Sequence, residues 1–253
     1  MNSIQRDLSI FNKFNFERQP VGVKFLFKKP PKGIEQLDKS IAFCEMHREA
    51  QLRGLPFYAA RENFGCAGPI PLGMDEIDPI FASGQVGPML GVFKEPRANR
   101  RIYQVLPKLD RNTVNYVVFS PLDKLSFDPD VLVLTCSTPS QAEIVLRASS
   151  HTTGKMYSSK LTTVLGCAWL YVYPYVSGEL NYMVTGLCWG MKATQVFPEG
   201  LILISIPFDL LPTLIQNLQD MEWVPTAYAV GRDAYLERFH QKLDKFIQEQ
   251  KNS

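Results

Sequence analysis

The residues with most chemistry to offer are the five cysteines, Cys44, Cys66, Cys136, Cys167 and Cys188. Four have related surroundings: Phe43-Cys44-Glu45-Met46, Gly65-Cys66-Ala67-Gly68, Gly166-Cys167-Ala168 and Leu187-Cys188-Trp189-Gly190. Three of the four have glycine within two positions. Glycine lets the backbone turn tightly and brings N–H groups up to a sulfur. Four thiolates are the usual complement of an iron–sulfur cluster and also suit structural zinc. No C-x-x-C pair exists, so the fold alone would have to gather the ligands. The other reading is that these cysteines are small apolar core residues, as free cysteine often is. Thiol catalysis is a third, needing an exposed sulfur beside a base.

His47 follows Cys44 by three positions, which puts both near one helix face. A Cys/His ligand pair fits that spacing, but beside Arg48 and Glu49 the histidine reads as a surface residue. Cys136 stands apart. It ends an apolar run two positions before a helix N-cap, where thiolates and anions are favoured. With Ser137, Thr138 and Ser140 it could hold a phosphate or carboxylate; a plain capped turn is the simpler reading. Nucleotide signatures (G-x-x-x-x-G-K-[ST], G-x-G-x-x-G) and the G-x-S-x-G elbow are absent.

The elements that must position these residues are only partly legible. The chain has 253 residues, 45% hydrophobic and 21% charged, with a formal charge of +2. That is an ordinary globular balance, long enough for a core without disulfides. The charge does not suggest a nucleic-acid partner, and no apolar run reaches bilayer length. No signal-peptide h-region follows the N-terminus, so a cytoplasmic location with reduced thiols is expected.

Apolar spacing predicts a helix over 4–14, a strand over 21–27, and a helix over 34–53 ending at Gly54. Its expected apolar face is Ile34, Leu37, Ile41 and Cys44. Residues 64–91 carry six glycines and four prolines, either a connector or a site-forming loop. Lys94, Arg97, Arg100 and Arg101 follow, an anion patch or a solvated face. Strands are expected over 115–120, 131–135 and 201–207. Thr138, Pro139 and Gln141 form a helix start running to about Ser150. Residues 161–175 fit helix or strand, with helix favoured in the first part. Helices are expected over 209–221 and 233–250, the last docking Leu236, Phe239, Leu243 and Phe246 on the core. A faint echo links residues 131–150 with 201–221 and the spacing of Cys44–Cys66 with that of Cys167–Cys188. Together these give an expected α/β or α+β fold, a mixed sheet with flanking helices in one domain over 1–253, with two pseudo-repeated halves as a further expectation.

Several segments resemble the domain-of-unknown-function 169 family of uncharacterised ArCR proteins. They are Gln19-Pro20-Val21-Gly22-Val23-Lys24-Phe25, the four cysteine segments, Leu72-Gly73, Pro121-Leu122, Pro129-Asp130-Val131-Leu132 and Pro139-Ser140-Gln141-Ala142. The resemblance spans about residues 19–210. Lys192 stands where the family often has arginine. The resemblance implies occurrence mainly in archaea and anaerobic bacteria, and no particular activity. It makes Cys44, Cys66, Cys167 and Cys188 a natural group and leaves Cys136 outside it. The resulting expectation is a [4Fe–4S] cluster on those four cysteines, with zinc the lesser option. It would serve redox chemistry or cofactor handling in anaerobic metabolism, with a small molecule or redox partner. Arg61, Gly68 and Lys192 are the expected ligand-binding residues. The alternative is a metal-free small-molecule-binding protein. There the 64–91 loop, the helix start at 138 and Trp169, Tyr171, Tyr173 and Trp189 would line the pocket.

Overall fold

The computed structural model describes residues 7–251, apart from the side chains of Thr226 and Ala227. The strands are β1 (Arg18–Leu26), β2 (Glu35–Gln36), β3 (Phe57–Ala59), β4 (Tyr116–Pro121), β5 (Val131–Cys136), β6 (Asn181–Val184) and β7 (Ile202–Pro207). They form one sheet in the order β2-β3-β4-β1-β5-β7-β6. Only β2 and β3 run parallel; the other neighbours are antiparallel. The helices are α1 (Phe43–Arg53), α2 (Pro79–Ser83), α3 (Val86–Met89), α4 (Pro96–Val105), α5 (Pro139–Ser150), α6 (Tyr173–Ser177), α7 (Trp189–Ala193), α8 (Leu211–Asp220), α9 (Thr226–Ala229) and α10 (Arg232–Lys251).

Successive strand residues face opposite sides, and here both sides are covered. Val21, Val23, Phe25, Val117, Phe119, Val131, Val133 and Leu203 pack on one face with residues of α1 and of 167–172. Val118, Leu132, Leu134, Cys136, Ile204 and Ile206 pack on the other with residues of α5 and α8. The result is the three-layer α/β arrangement that fully buried apolar strands require. The alternation also decides the fate of the cysteines. Cys136, at the end of β5, faces the α5–α8 layer, while Cys44, Cys167 and Cys188 belong to the other core.

The expected strands are present within a few residues, and Thr138 caps α5 as expected: its hydroxyl accepts from Gln141 N at 3.3 Å. The strand–helix units β5–α5 and β7–α8 lie side by side, strands antiparallel and α5 against α8, and pseudo-repeated halves are not shown. Arg97 pairs with Glu95 and is 84% exposed, and Arg100 donates to the Ser83 carbonyl, so this is a solvated face on α4.

Four expectations are corrected. The first helix is a 3-10 helix over Ser9–Phe14, residues 4–6 of the expected span lying outside the described residues. The helix expected over 34–53 begins only at Phe43. Before it the chain is held extended by distant partners. Leu37 N donates to Tyr58 O, and Asn63 Nδ2 donates to the carbonyls of Leu37 (2.7 Å) and Lys39 (3.1 Å). The buried residues of α1 are Phe43, Met46, His47 and Ala50, at helical i, i+3, i+4, i+7 spacing, with Cys44 buried beside them as expected. Within 161–175 the helical part is the second, a wide π turn over Ala168–Val172 continuing into α6. Finally, α10 buries none of its residues; Leu236, Phe239, Leu243 and Phe246 are 36–57% exposed.

Candidate functional site

The site begins where residues 41–45 meet residues 64–68. Ile41 and Phe64 form a parallel bridge, closed by Ile41 N to Asn63 O and Gly65 N to Ile41 O. This lays Cys66 across the start of α1, whose N-cap, Ala42, has no side-chain acceptor. A helix start leaves N–H groups without intrahelical partners, and the Cys66 sulfur takes one, accepting from Phe43 N at 3.2 Å. Gly68 N donates to the same sulfur at 3.2 Å. Glu45 Oε2 accepts from Ala42 N at 2.6 Å. Gly68 is required here, since a Cβ would stand 2.6 Å from Phe43 Cβ.

The same local geometry occurs at the other end of the chain. Trp189 N donates to Thr163 O at 2.6 Å, drawing the start of α7 against residues 163–166. Gly166 N then donates to Cys188 Sγ at 3.3 Å. In both places the amide just before one cysteine (Cys44, Cys167) donates to the sulfur of the next (Cys66, Cys188). Gly166 has no room for a side chain: a Cβ would lie 2.8 Å from both Cys188 Cβ and Sγ. Leu165 adopts φ +55°, a left-handed conformation that is uncommon outside glycine, and it lines the cavity beside Cys167.

All four cysteines line one cavity of about 540 Å³. Cys44, Cys167 and Cys188 are buried, Cys66 is exposed, and none is in a disulfide. Burial pushes the Cys44 thiol far up, and the charges of Cys188 and Cys66 push it further. Cys167 is raised in the same way by burial, then by Cys66, Cys44 and Cys188. The four sulfurs therefore share one electrostatic neighbourhood. Tyr171, in the wide turn after Cys167, is fully buried with its hydroxyl unpartnered. Burial raises its hydroxyl first, then Cys44 and Cys167.

Other expected residues are placed elsewhere. Arg61 binds Asp75 at 2.7 Å through both Nε and Nη2. It lines a more polar depression on the other side of Cys66, with Asp75, Asp78 and Arg111. Lys192 pairs with Glu199 at 2.9 Å, its side chain 63% exposed, and does not line the cysteine cavity. His47 is fully buried, contrary to the surface reading. It meets Thr135 Oγ1 at 3.0 Å through Nε2, and burial, then Arg18, depresses it to about 3. It does not join Cys44 at the cavity. Cys136, pushed up to about 12 by burial, lies on the opposite face. The amide and hydroxyl of Ser137 are bonded to Gln141 Oε1, so the turn at 136–140 is a capped turn. Of the four aromatics expected around a pocket, only Trp189 lines the cavity, and the 138 helix start does not. The 64–91 segment does, through Gly65–Gly68, Phe81, Val86 and Leu90. Sequence reasoning missed Tyr171 as a neighbour of the cysteines, and Asn99 and Tyr103 of α4 as cavity residues.

The pattern of the DUF169 family, described as uncharacterised ArCR, matches residues 9–217. The chain belongs to that family. No curated protein and no solved structure matches it. The DUF169 span contains the whole sheet and all five cysteines and stops short of α10. Among the described residues of this DUF169 chain, no three His, Cys, Asp or Glu side chains are arranged to hold a metal ion. No described helix is long and apolar enough to cross a membrane.

Proposed function

We propose that Cys44, Cys66, Cys167 and Cys188 hold an iron–sulfur cluster at the floor of the cavity. The observation that carries this reading is the convergence of four thiols from four separate segments on one cavity. Backbone N–H groups already aim at two of the sulfurs, and hydrogen bonds to sulfur are among the levers that set a cluster's potential. A lone tetrahedral zinc with bonds of about 2.3 Å would need its four sulfurs about 3.8 Å apart. In a cluster each thiolate binds a different iron, so the sulfurs stand further apart.

Burial and the neighbouring cysteines raise the Cys44 and Cys167 thiols, so their ionisation would need a strong local positive charge. Metal binding supplies that charge and releases the protons. Such a group would supply one-electron transfer; Gly166, Phe43 and Gly68 would orient the sulfurs, and Tyr171 would offer its O–H to Cys44 or Cys167.

The test is iron and acid-labile sulfide analysis of protein purified without oxygen, or reconstituted with iron and sulfide. Both should be present, lost in Cys66→Ala or Cys167→Ser, and kept in Cys136→Ser. Folded protein that takes up neither iron nor sulfide would end this reading. A colourless protein holding zinc on the same four residues would replace iron by zinc.

A further inference from the structure

The cavity above the cysteines has a composition of its own. Its outer wall comes from α2–α4, placed between Cys66 and β4, and contributes Phe81, Val86, Leu90, Asn99 and Tyr103. Trp189 and Met191 of α7 also line the cavity. No lysine or arginine lines it, and its one carboxylate, Glu45, is engaged with Ala42 N. An anionic ligand would find no counter-charge there and would face Glu45. Five buried side-chain polar atoms among the described residues lack a partner, and of these only Asn99 Oδ1 belongs to a residue lining this cavity. Asn99 is 1% exposed, and its Nδ2 donates to Gly84 O at 3.3 Å. An unpaired buried carbonyl carries a penalty that a ligand donor would relieve.

We propose that this cavity binds an uncharged, largely apolar small molecule with a hydrogen-bond donor directed at Asn99, held directly over the four cysteines. Its size is in the range of small-molecule pockets, and the pattern of apolar walls with few polar groups is the one such sites use. The inference takes only its location from the proposed cluster site. The wall is made of protein alone, so binding is measured on reduced, chelator-treated protein.

The probes are N-phenyl-1-naphthylamine, which is neutral with one N–H, its N-methyl derivative, and 8-anilinonaphthalene-1-sulfonate, with the same rings and a negative charge. Binding is followed by probe fluorescence. The neutral amine should bind at one site at least tenfold more tightly than the sulfonate. The N-methyl compound should lose about three- to tenfold, the worth of one hydrogen bond. The exposed stripe of α10 is a second apolar surface, so Leu90→Trp, which fills the cavity, is the decisive variant. It should weaken the amine at least tenfold, and Val86→Trp serves the same purpose should Leu90→Trp not fold. Equal binding of amine and sulfonate, or binding indifferent to both cavity variants, overturns the proposal. Selective amine binding by an unaltered chain that takes up neither iron nor sulfide leaves this proposal standing where the cluster reading has failed.

Discussion

Gly166→Ala and Gly190→Ala should move stability in opposite directions, although both glycines lie within two positions of a cysteine. At 166 a methyl group would sit 2.8 Å from Cys188 Cβ and Sγ. Carbon contacts settle at about 3.5–4.0 Å, so something must retreat by about 1 Å. Residue 166 is buried against residues 188 and 189, and a core overfilled by one methyl costs about 1–3 kcal/mol. Weakening the N–H bond to Cys188 adds up to about 1 kcal/mol. Alanine's better helix propensity offsets about 0.5–1 kcal/mol, leaving a net loss of about 1–3 kcal/mol. At 190, inside α7, a Cβ meets nothing within 4 Å. Only the propensity remains, a gain of about 0.5–1 kcal/mol. Urea unfolding of the reduced, chelator-treated proteins, followed by tryptophan fluorescence, reads both. A Gly166→Ala protein at least as stable as Gly190→Ala would refute the close approach of the two segments on which the whole site rests.

Other outcomes follow from the same geometry. Tyr171→Phe removes an unpaired buried hydroxyl; it should stabilise the chelator-treated protein by about 1 kcal/mol, and the gain should vanish or reverse in protein reconstituted with iron and sulfide. Burial raises the Cys136 thiol from 9.0 to about 12, so above pH 9 the unfolded chain loses a proton that the folded one keeps, and stability falls as pH rises. Chelator-treated Cys136→Ala should therefore show a shallower alkaline decline between pH 9 and about 12, by up to about 1.4 kcal/mol per pH unit; an unchanged slope in urea midpoints would count against its burial. Ending the chain before Arg232 removes a helix with no buried residue, and the thermal midpoint of the remainder should stay within about 2 °C, the equivalent of about 0.5 kcal/mol for a chain this long.

The sequence displayed its inner strands plainly, because residues such as Val131–Cys136 are buried on both faces and are apolar at all but Thr135. It also grouped four cysteines that line one cavity and set apart Cys136, which lies on the other face of the sheet. What it could not display is how they meet. The extended path of residues 34–42 depends on Asn63, which reaches back 26 positions to Leu37 O. A single asparagine acting over that distance leaves no local pattern, so helical spacing prevailed in the reading. The stripe Phe43, Met46, His47, Ala50 was in plain view at the right period. Taking it instead of Ile34, Leu37, Ile41, Cys44 would have buried His47 and put the start of α1 at the cysteine. Residues 161–175 are apolar at nearly every position, which erases the periodicity that separates helix from strand, and the φ of +55° at Leu165 has no sequence signal in a leucine. The cavity wall from α2–α4 is built of short helices in a segment dominated by glycine and proline, where propensity argues for loop.

The cysteines come from two ends of the chain, with β4, β5 and α5 between Cys66 and Cys167. During synthesis at about 5–20 residues per second, the stretch of about 100 residues between them takes about 5–20 s to emerge. Through that interval Cys44 and Cys66 wait without their partners, and β4 and β1 can pair before β7 exists to complete the sheet. The cavity wall cannot be complete until the segment carrying Cys167 and Cys188 has emerged and packed. A ribosome stalled before Cys167 leaves a nascent chain in which Cys44 and Cys66 lack the other half of their cavity.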